Sequence, residues 1–284
     1  MIEKDVSLKN YCSYKTGGKA ELFCCPEEIF DLKVALKFAS DNSLPLTILG
    51  TGYNVLIADK KIKGLVLSTR CLNRFVEIDG LNVYAGAGEL LDKVIMTCIK
   101  NNLEGIEGMS GIPGSVGGAV CMNAGAFGTE IKDVAEAVGV CGLDGREQII
   151  NAEDAGFGYR RAENINGIVT WLKLKLKEGN SEDLLRKRGE ILKARTEKQP
   201  LESPSCGSVF KRPEGGYAGA LIEQCGLKGF KIGQAQVSEK HANFIINTGN
   251  AKSADIYKLI NYVQETVKKE TGVHLEREVR FVGF

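Results

Sequence analysis

Residues 105–128 read GIEGMSGIPGSVGGAVCMNAGAFG and form the segment of the chain that is densest in glycine. Seven glycines fall between positions 108 and 128, and glycine makes up 34 of the 284 residues of the chain, about 12% against about 7% in average proteins. A glycine inside a helix or strand costs about 0.5–1 kcal/mol relative to alanine. Such density therefore indicates backbone that closely approaches another group or presents its amides to an anion. We predict a short helix over 115–122 whose start faces this anion.

A second glycine turn follows a predicted strand. Residues 50–54 (GTGYN) come directly after the apolar stretch 45–49 (PLTIL). Two phosphate-binding loops in one domain suit the pyrophosphate of a dinucleotide. Neither loop continues as Gly-Lys-Ser/Thr, and neither has the Gly-x-Gly-x-x-Gly fingerprint with an acidic residue about 20 positions later. A P-loop is thus excluded and a standard NAD-binding fold is disfavoured, whereas a pair of purely structural turns stays open as the alternative.

Composition narrows the class of protein. The chain has 37 basic and 36 acidic residues, which argues against a strongly basic nucleic-acid-binding protein. It has no stretch of about 18 apolar residues that could span a membrane, and residues 1–8 do not resemble a signal peptide. Nine cysteines without Cys-x-x-Cys spacing indicate free thiols in a reducing compartment, and two histidines argue against a zinc enzyme. We expect a cytoplasmic monomer that binds no metal, nucleic acid or membrane.

The length predicts about two domains. Hydrophobic periodicity predicts helices over 27–42, 89–102, 181–197, 217–225 and 253–271. Strand patterns include 20–25, 168–177, 231–238 and 273–282, with hairpins at Asp79-Gly80 and Asp144-Gly145. The charge of the 181–197 helix is expected mostly to face solvent. Prolines and small residues in 200–216 mark the best domain boundary, which predicts domains over 1–195 and 196–284.

Six segments taken together resemble the UDP-N-acetylenolpyruvoylglucosamine reductase family, flavoproteins of peptidoglycan precursor synthesis. They are LGTGYN (49–54), GIPGSVGGAVCMNAGAFG (111–128), FGYRR (157–161), GSVFKRP (207–213), SEKHANFIIN (238–247) and LEREVRFVG (275–283). Their order along nearly the whole chain makes the resemblance specific. The short loop after Arg161 and the absence of an insertion in the C-terminal third are similar to the shorter subtype of the family, and leave open which residues close over the uridine end of the substrate.

The resemblance implies an α+β FAD-binding fold of the vanillyl-alcohol-oxidase/PCMH type. Its two α+β subdomains would cover about 1–68 and 69–195, and an α/β substrate-binding domain would cover 196–284. It implies non-covalent FAD, with NADPH as co-substrate. Reduced flavin would pass a hydride to the β-carbon of UDP-N-acetylglucosamine enolpyruvate, and a protein acid would protonate the α-carbon, giving UDP-N-acetylmuramate.

The resemblance also assigns site residues. The expected cofactor-binding residues are Gly50, Thr51, Gly52, Tyr53, Asn54, Gly111, Gly114, Ser115, Gly117, Gly118, Asn123, Ala124 and Gly125. Arg160 would stabilise the charge that develops on the substrate carboxylate, because a guanidinium is permanently charged and forks onto carboxylates. Tyr159 would line the substrate site. Taken alone, the Arg160-Arg161 pair is also compatible with an ordinary charged surface.

Ser208 is the expected proton donor. A serine hydroxyl is a poor acid unless a cationic or hydrogen-bonding neighbour polarises it, and Lys198, Lys211 and Arg212 are the candidates. Cys206 is a rival acid, although it lies one residue before Gly207 and off the motif position. Without the resemblance, Ser208 could simply be a serine at the start of a strand.

Glu278 is the second expected catalytic acid, and Glu276 is the alternative. On a strand over 273–282, His274, Glu276, Glu278 and Arg280 would share one polar face. That face could be a site wall or could face solvent. Lys198 and Arg212 are the expected further substrate-binding residues.

Two other functions remain open from the sequence. The first is another flavin oxidoreductase of the same fold that acts on an alcohol or a sugar acid. Many such enzymes attach FAD covalently through a histidine or cysteine near the glycine loops, but both histidines here follow residue 240, which argues against attachment through histidine. The second is a nucleotide-binding module without enzymatic activity.

Overall fold

The computed structural model describes residues 2–284, which form six α-helices. They are α1 (Ile29–Asp41), α2 (Leu91–Lys100), α3 (Val116–Cys121), α4 (Ser181–Lys198), α5 (Ala218–Gln224) and α6 (Ser253–Thr271). Hydrophobic periodicity predicted five of them to within a few residues, and the glycine segment predicted α3. The longest, α6, buries the stripe Ile256, Leu259, Ile260, Val263 and Val267. It ends where Gly272 adopts the left-handed conformation that favours glycine at this position.

The strands are short and numerous. In chain order they are β1 (Ile2–Ser7), β2 (Lys19–Cys24), β3 (Leu46–Leu49), β4 (Val55–Ile57), β5 (Ile62–Ser68), β6 (Val76–Asp79), β7 (Asn82–Gly86), β8 (Leu103–Glu104), β9 (Gly125–Ala126), β10 (Thr129–Glu130), β11 (Ala135–Cys141), β12 (Glu147–Asn151), β13 (Phe157–Gly158), β14 (Arg161–Ala162), β15 (Ile168–Lys175), β16 (Lys177–Glu178), β17 (Ser205–Ser208), β18 (Lys231–Ile232), β19 (Ala235–Val237), β20 (Phe244–Asn247) and β21 (Arg280–Val282).

The chain divides into two compact units. The first unit consists of 1–3, 22–51 and 64–195, and the second of 4–21, 52–63 and 196–284. One division falls after Arg195, and two N-terminal segments also belong to the second unit. The domains 1–195 and 196–284 stay a prediction. Strands β1, β2 and β5 are each divided between the units. A four-stranded sheet has the order β1–β2–β5–β3, in which β3 and β5 are parallel.

The first unit is built on an antiparallel five-stranded sheet with the order β12–β11–β15–β7–β6. Strand β15 alternates buried and less buried residues along its second half, as a strand with one face on the core does. Helix α2 buries Leu91, Val94, Ile95, Cys98 and Ile99 in the same core. A fully buried aliphatic side chain of this kind contributes about 1.5–3 kcal/mol relative to an exposed one. A second core lies under α1, where Leu32 and Leu36 pack with Leu65 and Leu67 of β5.

The second unit has a four-stranded sheet with the order β17–β20–β19–β18, and α6 packs on it. Strand β21 lies apart from this sheet and pairs in parallel with β4, Phe281 opposite Leu56. All nine cysteines of the chain are free thiols. In residues 2–284, every helix is too short or too polar to cross a membrane.

Two strand predictions are wrong. Residues 231–238 form a hairpin of β18 and β19, because Gly233 has a φ of +58° and turns the chain between Ile232 and Ala235. The predicted strand 273–282 is confined to Arg280–Val282. The residues before it bond to the segment after β17 instead, since the Lys211 N–H donates to the Glu276 carbonyl at 2.8 Å and Phe210 bridges Arg277.

Candidate active site

The two glycine loops of the sequence meet in the first unit. Strand β3 ends at Leu49, and the turn that follows brings the Thr51 hydroxyl to 3.1 Å from the backbone N–H of Ser115, which donates to it. A Cβ atom added to Gly50 would lie 3.3 Å from the Ser115 Oγ. The glycine segment and the glycine turn therefore form one cradle at residues 50–51 and 114–118.

The predicted short helix exists as α3, but its first amides are not available to an anion. The Val116 N–H donates to the Glu89 carbonyl and the Gly117 N–H to the Ala87 carbonyl, both at 2.9 Å. With the Ser115 N–H bonded to Thr51, three successive amides at the helix start are used inside the protein. The expectation that the helix start faces an anion is wrong for these groups.

The glycines of the segment have two separate causes. Four of them are closely packed, because an added Cβ atom would approach a neighbouring atom to 2.4–3.1 Å: Gly108, Gly111, Gly117 and Gly125. Gly114 and Gly118 instead border the cradle, where an added Cβ atom would find its nearest described neighbour at 3.7 and 3.6 Å. Close packing thus accounts for four glycines of the segment, and Gly114 and Gly118 are the two that border open space at the cradle.

The cradle has the features that a bound cofactor would use. Ser115 is fully buried, yet its Oγ has no hydrogen-bond partner among residues 2–284. A buried hydroxyl without a partner loses about 1–3 kcal/mol, so a ligand that accepts or donates a hydrogen bond there would restore this loss. Side chains at Gly50 and Gly118 would fill the space next to it. The residues present fit a dinucleotide cofactor held by short loops.

Residues outside the motifs hold the glycine segment in place. The Gly111 N–H donates to the Asp92 carboxylate at 3.0 Å, and Arg188 of α4 forms a two-pronged ion pair with that carboxylate at 2.6 Å for each bond. The hydrogen bonds from Arg188 hold the pKa of Asp92 below its usual value.

A second ion pair joins α4 to the glycine segment. Lys187, the residue before Arg188, pairs with the buried Glu107 at 2.6 Å. The Glu107 carboxylate also accepts the Gly105 N–H at 2.7 Å. Burial acts to raise the pKa of Glu107, but these hydrogen bonds outweigh it and the pKa lies below the usual value. Most charged residues of α4 are exposed, as the sequence predicted, but Lys187 and Arg188 also pair with acids that hold the glycine segment. In the sequence, the only local signal for the Lys187–Glu107 contact is the presence of an acid, Glu107, inside a glycine-rich segment.

Arg160 lies in a tight hairpin of the first unit. Strands β13 and β14 pair as Phe157 with Ala162 and Gly158 with Arg161, so Tyr159 and Arg160 form a two-residue turn. The Arg160 guanidinium donates to the Gly125 carbonyl at 3.2 Å and lies 5.1 Å from the centre of the Tyr159 ring. Tyr159 is 45% exposed. The structure thus brings both predicted residues of this motif next to the end of the glycine segment.

The remaining residues of the predicted cofactor set have other neighbours. The buried side chain of Asn123 bonds to Glu130, Lys132 and Gly158. Gly52, Tyr53 and Asn54 belong to the second unit. Gly52 is required by packing, since its added Cβ atom would lie 2.0 Å from the carbonyl oxygen of Tyr11.

The second unit places the two predicted acids on adjoining backbone segments. The Glu278 N–H donates at 2.8 Å to the carbonyl of Val209, the residue after Ser208. The Glu278 carbonyl accepts the side-chain amide of Asn54 at 3.1 Å, and the Arg280 N–H donates to the Asn54 carbonyl at 3.0 Å. Ser208 and Glu278 are both half-buried. Asn54, predicted as a cofactor residue, therefore fixes the segment that carries Glu278.

The alternative acids have different environments. Glu276 is 69% exposed and forms an ion pair with Lys211. Cys206 is buried, and its thiol donates to the Val55 carbonyl at 3.0 Å and contacts the Ser13 hydroxyl at 3.1 Å. Burial raises the pKa of the Cys206 thiol well above its usual value. A buried thiol bonded to a neighbouring strand is suited to anchoring β17 rather than to proton donation.

The predicted cationic residues differ in their exposure and in their partners. Lys198 is the exposed last residue of α4. The Arg212 guanidinium lies 4.2 Å from the centre of the Tyr217 ring and donates to the Gly216 carbonyl at 3.2 Å. Lys211 pairs with Glu276, which leaves its role as a partner of Ser208 a prediction.

Comparison with known proteins gives the family. Residues 199–282 match the family model "UDP-N-acetylenolpyruvoylglucosamine reductase, C-terminal domain", and residues 20–151 match "FAD binding domain". The chain is 43% identical to the UDP-N-acetylenolpyruvoylglucosamine reductase of Clostridium tetani, over 99% of this chain and 92% of that protein. It is 40% identical to the reductase of the same name from Lactiplantibacillus plantarum, over 99% of this chain and 94% of that protein.

Solved structures show the same relationship. The crystal structure of UDP-N-acetylenolpyruvylglucosamine reductase from Thermus caldophilus superposes with a TM-score of 0.86 at 36% identity, covering 99% of both chains. The 6-hydroxy-D-nicotine oxidase of Arthrobacter nicotinovorans shares the fold alone, with a TM-score of 0.52 and 16% identity over 98% of this chain and 61% of that one. The expected α+β FAD-binding fold of the vanillyl-alcohol-oxidase/PCMH type is confirmed, together with the C-terminal domain of the reductases. On this similarity along its whole length, the chain belongs to the UDP-N-acetylenolpyruvoylglucosamine reductase family.

Proposed function

We infer that this chain is a flavoprotein reductase that uses NADPH to convert UDP-N-acetylglucosamine enolpyruvate into UDP-N-acetylmuramate, a precursor of peptidoglycan. The observation that carries this inference is the contact of the two glycine loops at Thr51 and Ser115. It occurs in a chain that covers the reductases of the family almost completely. FAD, when bound, supplies the hydride that it has accepted from NADPH.

FAD is proposed to bind without a covalent bond at the cradle of residues 50–51 and 114–118. The buried Ser115 hydroxyl without a described partner supports this placement. Gly50, Gly114 and Gly118 leave room for a ligand to approach the backbone. The other predicted cofactor residues support it indirectly. Packing at Gly111 and Gly117 and the side-chain bonds of Asn123 hold the segment, and Ala124 and Gly125 follow it.

Arg160 is proposed to stabilise the negative charge that develops on the substrate carboxylate while the double bond is reduced. A fixed guanidinium favours the transition state because the charge increases there. Two contacts, with the Gly125 carbonyl and the Tyr159 ring, support a defined position for the group. Tyr159 is proposed to line the substrate site with its exposed ring.

Ser208 is proposed to donate the proton to the α-carbon, and Glu278 to assist on the adjoining segment. A serine hydroxyl is a weak acid, so a neighbour must replace or share its proton. The Glu278–Val209 hydrogen bond supports this pairing of segments. Glu278 is preferred to Glu276, because the latter is exposed and paired with Lys211. Lys198 and Arg212 are proposed to meet the substrate phosphates as cations.

The proposal also covers the setting of the enzyme. We expect a monomer that works in the cytoplasm, and nine free thiols support a reducing compartment. Light scattering should give a mass near the 30.8 kDa of one chain. We also retain 1–195 as the FAD-binding region and 196–284 as the substrate-binding domain.

The deciding experiment is a visible spectrum of the purified protein. Bound flavin should absorb visible light, bleach with NADPH under anaerobic conditions, and regain its absorbance when the enolpyruvyl substrate is added. The product should be heavier than the substrate by two hydrogens. Flavin that stays attached after acid denaturation would favour an oxidase of the same fold. A colourless protein that does not take up FAD would favour a nucleotide-binding module without this activity.

A further inference from the structure

We propose that Asn123 is a positioning residue for Arg160, acting through the carbonyl oxygen of Gly158. This inference rests on the role proposed above for Arg160. It assigns to the Asn123 side chain a task different from cofactor binding. The buried amide would hold the hairpin turn, and the turn would hold the guanidinium at the place where substrate charge develops.

The turn itself needs to be held. Arg160 has a φ of +58°, whereas Tyr159 is not among the residues with positive φ. A two-residue turn with positive φ at its second position normally has glycine or asparagine there. An arginine in this conformation is strained, and such strain persists only where the surroundings fix it. The hairpin contributes little, because each of its strands, β13 and β14, has two residues.

Two hydrogen bonds hold the turn from opposite sides. The Asn123 Nδ2 donates to the Gly158 carbonyl at 3.0 Å, directly before Tyr159. The Arg160 guanidinium donates to the Gly125 carbonyl at 3.2 Å. The turn is therefore tied to the end of the glycine segment through the backbone before it and through its own side chain.

The orientation of the Asn123 amide is itself fixed. Its Nδ2 also donates to the Glu130 carboxylate at 3.0 Å, and its Oδ1 accepts the Lys132 N–H at 3.0 Å. Asn123 is fully buried. A flipped amide would place its oxygen against a carboxylate and its NH₂ against an N–H donor, so Glu130 and Lys132 leave only one orientation. In that orientation both amide hydrogens are used, one of them for Gly158.

Loss of the hydrogen bond from Asn123 to the Gly158 carbonyl should shift Arg160 without unfolding the protein. Loss of the donor to Gly158 would let the strained turn relax, and the guanidinium would shift. Catalysis by a fixed charge is sensitive to shifts of about 1 Å, which can cost roughly 100-fold in rate. The glycine segment would keep its contacts with α4 and so its capacity to bind FAD.

The test compares the double variant Asn123→Asp/Glu130→Gln with the single variant Glu130→Gln. In the double variant the amide and the carboxylate exchange places, so the 123–130 hydrogen bond is retained, but an ionised carboxylate cannot donate to Gly158. Asparagine and aspartate both tolerate positive φ, and Asn123 has a φ of +38°. The exchange therefore removes the proposed contact, and the ion pair of Glu130 with Lys132 is lost equally in the double variant and in the control.

Four quantities are measured: the flavin content, the rate of bleaching by NADPH, the rate at which the flavin spectrum recovers on adding substrate, and the pH dependence of that recovery. We expect the double variant to match the control in flavin content and bleaching, and to recover roughly 10- to 100-fold more slowly. Recovery should rise as the pH falls, because a protonated carboxyl group can donate to Gly158 again. The control should show no such rise.

Equal recovery in the double variant and the control would overturn the proposal. A parallel loss of flavin and of bleaching would overturn it as well, because it would show a general structural role. The Arg160→Lys variant separates this failure from failure of the proposed function. If Arg160→Lys recovers normally, the role of Arg160 is wrong. If it recovers slowly and adding the double exchange slows it equally again, Asn123 does not act through Arg160.

Discussion

The glycine segment of the first unit, residues 105–128, and the acid-bearing segments of the second unit, residues 205–211 and 276–280, are built in different ways. The first relies on backbone: its glycines allow close packing, and the carboxylates of Asp92, outside the segment, and Glu107, within it, fix it. The second carries the two proposed acids, Ser208 and Glu278, on backbone held by ordinary hydrogen bonds. A site built from closely packed backbone raises the glycine content of the chain, whereas a site built from a few side chains leaves the amino-acid composition unchanged.

The largest expected effect tests the side-chain region. Ser208→Ala should slow recovery of the flavin spectrum by the enolpyruvyl substrate roughly 10²- to 10⁴-fold, the usual contribution of a positioned acid. Bleaching by NADPH should be unchanged, because no proton reaches the substrate in that step. Stopped-flow absorbance measures both half-reactions.

Ser205→Ala, on the same strand β17, is the matched control. It should leave both half-reactions near the parent rates. Normal turnover of Ser208→Ala would show that the proton comes from another group, and the contrast between the two regions would lose its main support.

A smaller effect is expected where backbone space matters. Gly50→Val should place a side chain in the cradle beside the Ser115 hydroxyl, since an added Cβ atom alone lies 3.3 Å from it. We expect FAD affinity to fall about 100-fold, or about 2.8 kcal/mol. Isothermal titration of the flavin-free protein measures this change.

Gly249→Ala serves as the control, because the structure describes no atom within 4 Å of its added Cβ atom. Its FAD affinity should equal that of the parent. Tight flavin binding by Gly50→Val would exclude the cradle at residues 50–51 and 114–118 as the binding site.

The smallest effect concerns the support of the glycine segment. Glu107→Gln should lower the free energy of unfolding by about 1–3 kcal/mol, because it removes a charged acceptor from a buried hydrogen-bonded pair. The pKa of Glu107 is below its usual value of 4.5. Its contribution is therefore complete above that pH and is lost as the pH falls through the lowered pKa. Urea unfolding at several pH values measures both effects.

Glu190→Gln is the control for charge on α4, since Glu190 is 68% exposed and its pair with Arg186 is also exposed. Exposed pairs contribute about 0–1 kcal/mol. If Glu190→Gln destabilises the protein as much as Glu107→Gln does, the buried contact has no special part in fixing the segment.

The sequence predicted well what local patterns determine. Helix α6 follows from its apolar stripe and from Gly272, and the glycine loops follow from composition. The strand over 273–282 was overestimated because its polar–apolar alternation continues while its backbone partner changes from 209–211 to β4. No local pattern records such a change of partner.

The same distinction between local patterns and long-range contacts holds for the candidate site. The two loops could be found, but the Thr51–Ser115 contact joins residues 64 positions apart. The support of Gly111 depends on Asp92 and Arg188, which are 96 positions apart in the sequence. Ion pairs of this kind leave no spacing signal, so the sequence did not reveal the contacts of Lys187 and Arg188 with the glycine segment.

The second unit combines chain segments that are far apart in the sequence, and this has a consequence for the order of folding. Strand β4 is made early in synthesis, but its partner β21 follows more than 220 residues later, since Val55 pairs with Arg280. Loop closure over such separations is slow, and its entropy must be lost before the contact stabilises anything. During translation, Val55, Leu56 and Ile57 of β4 therefore remain without their final strand partner until the chain has been made as far as β21. These apolar residues make the interval one in which the nascent chain depends on protection from aggregation.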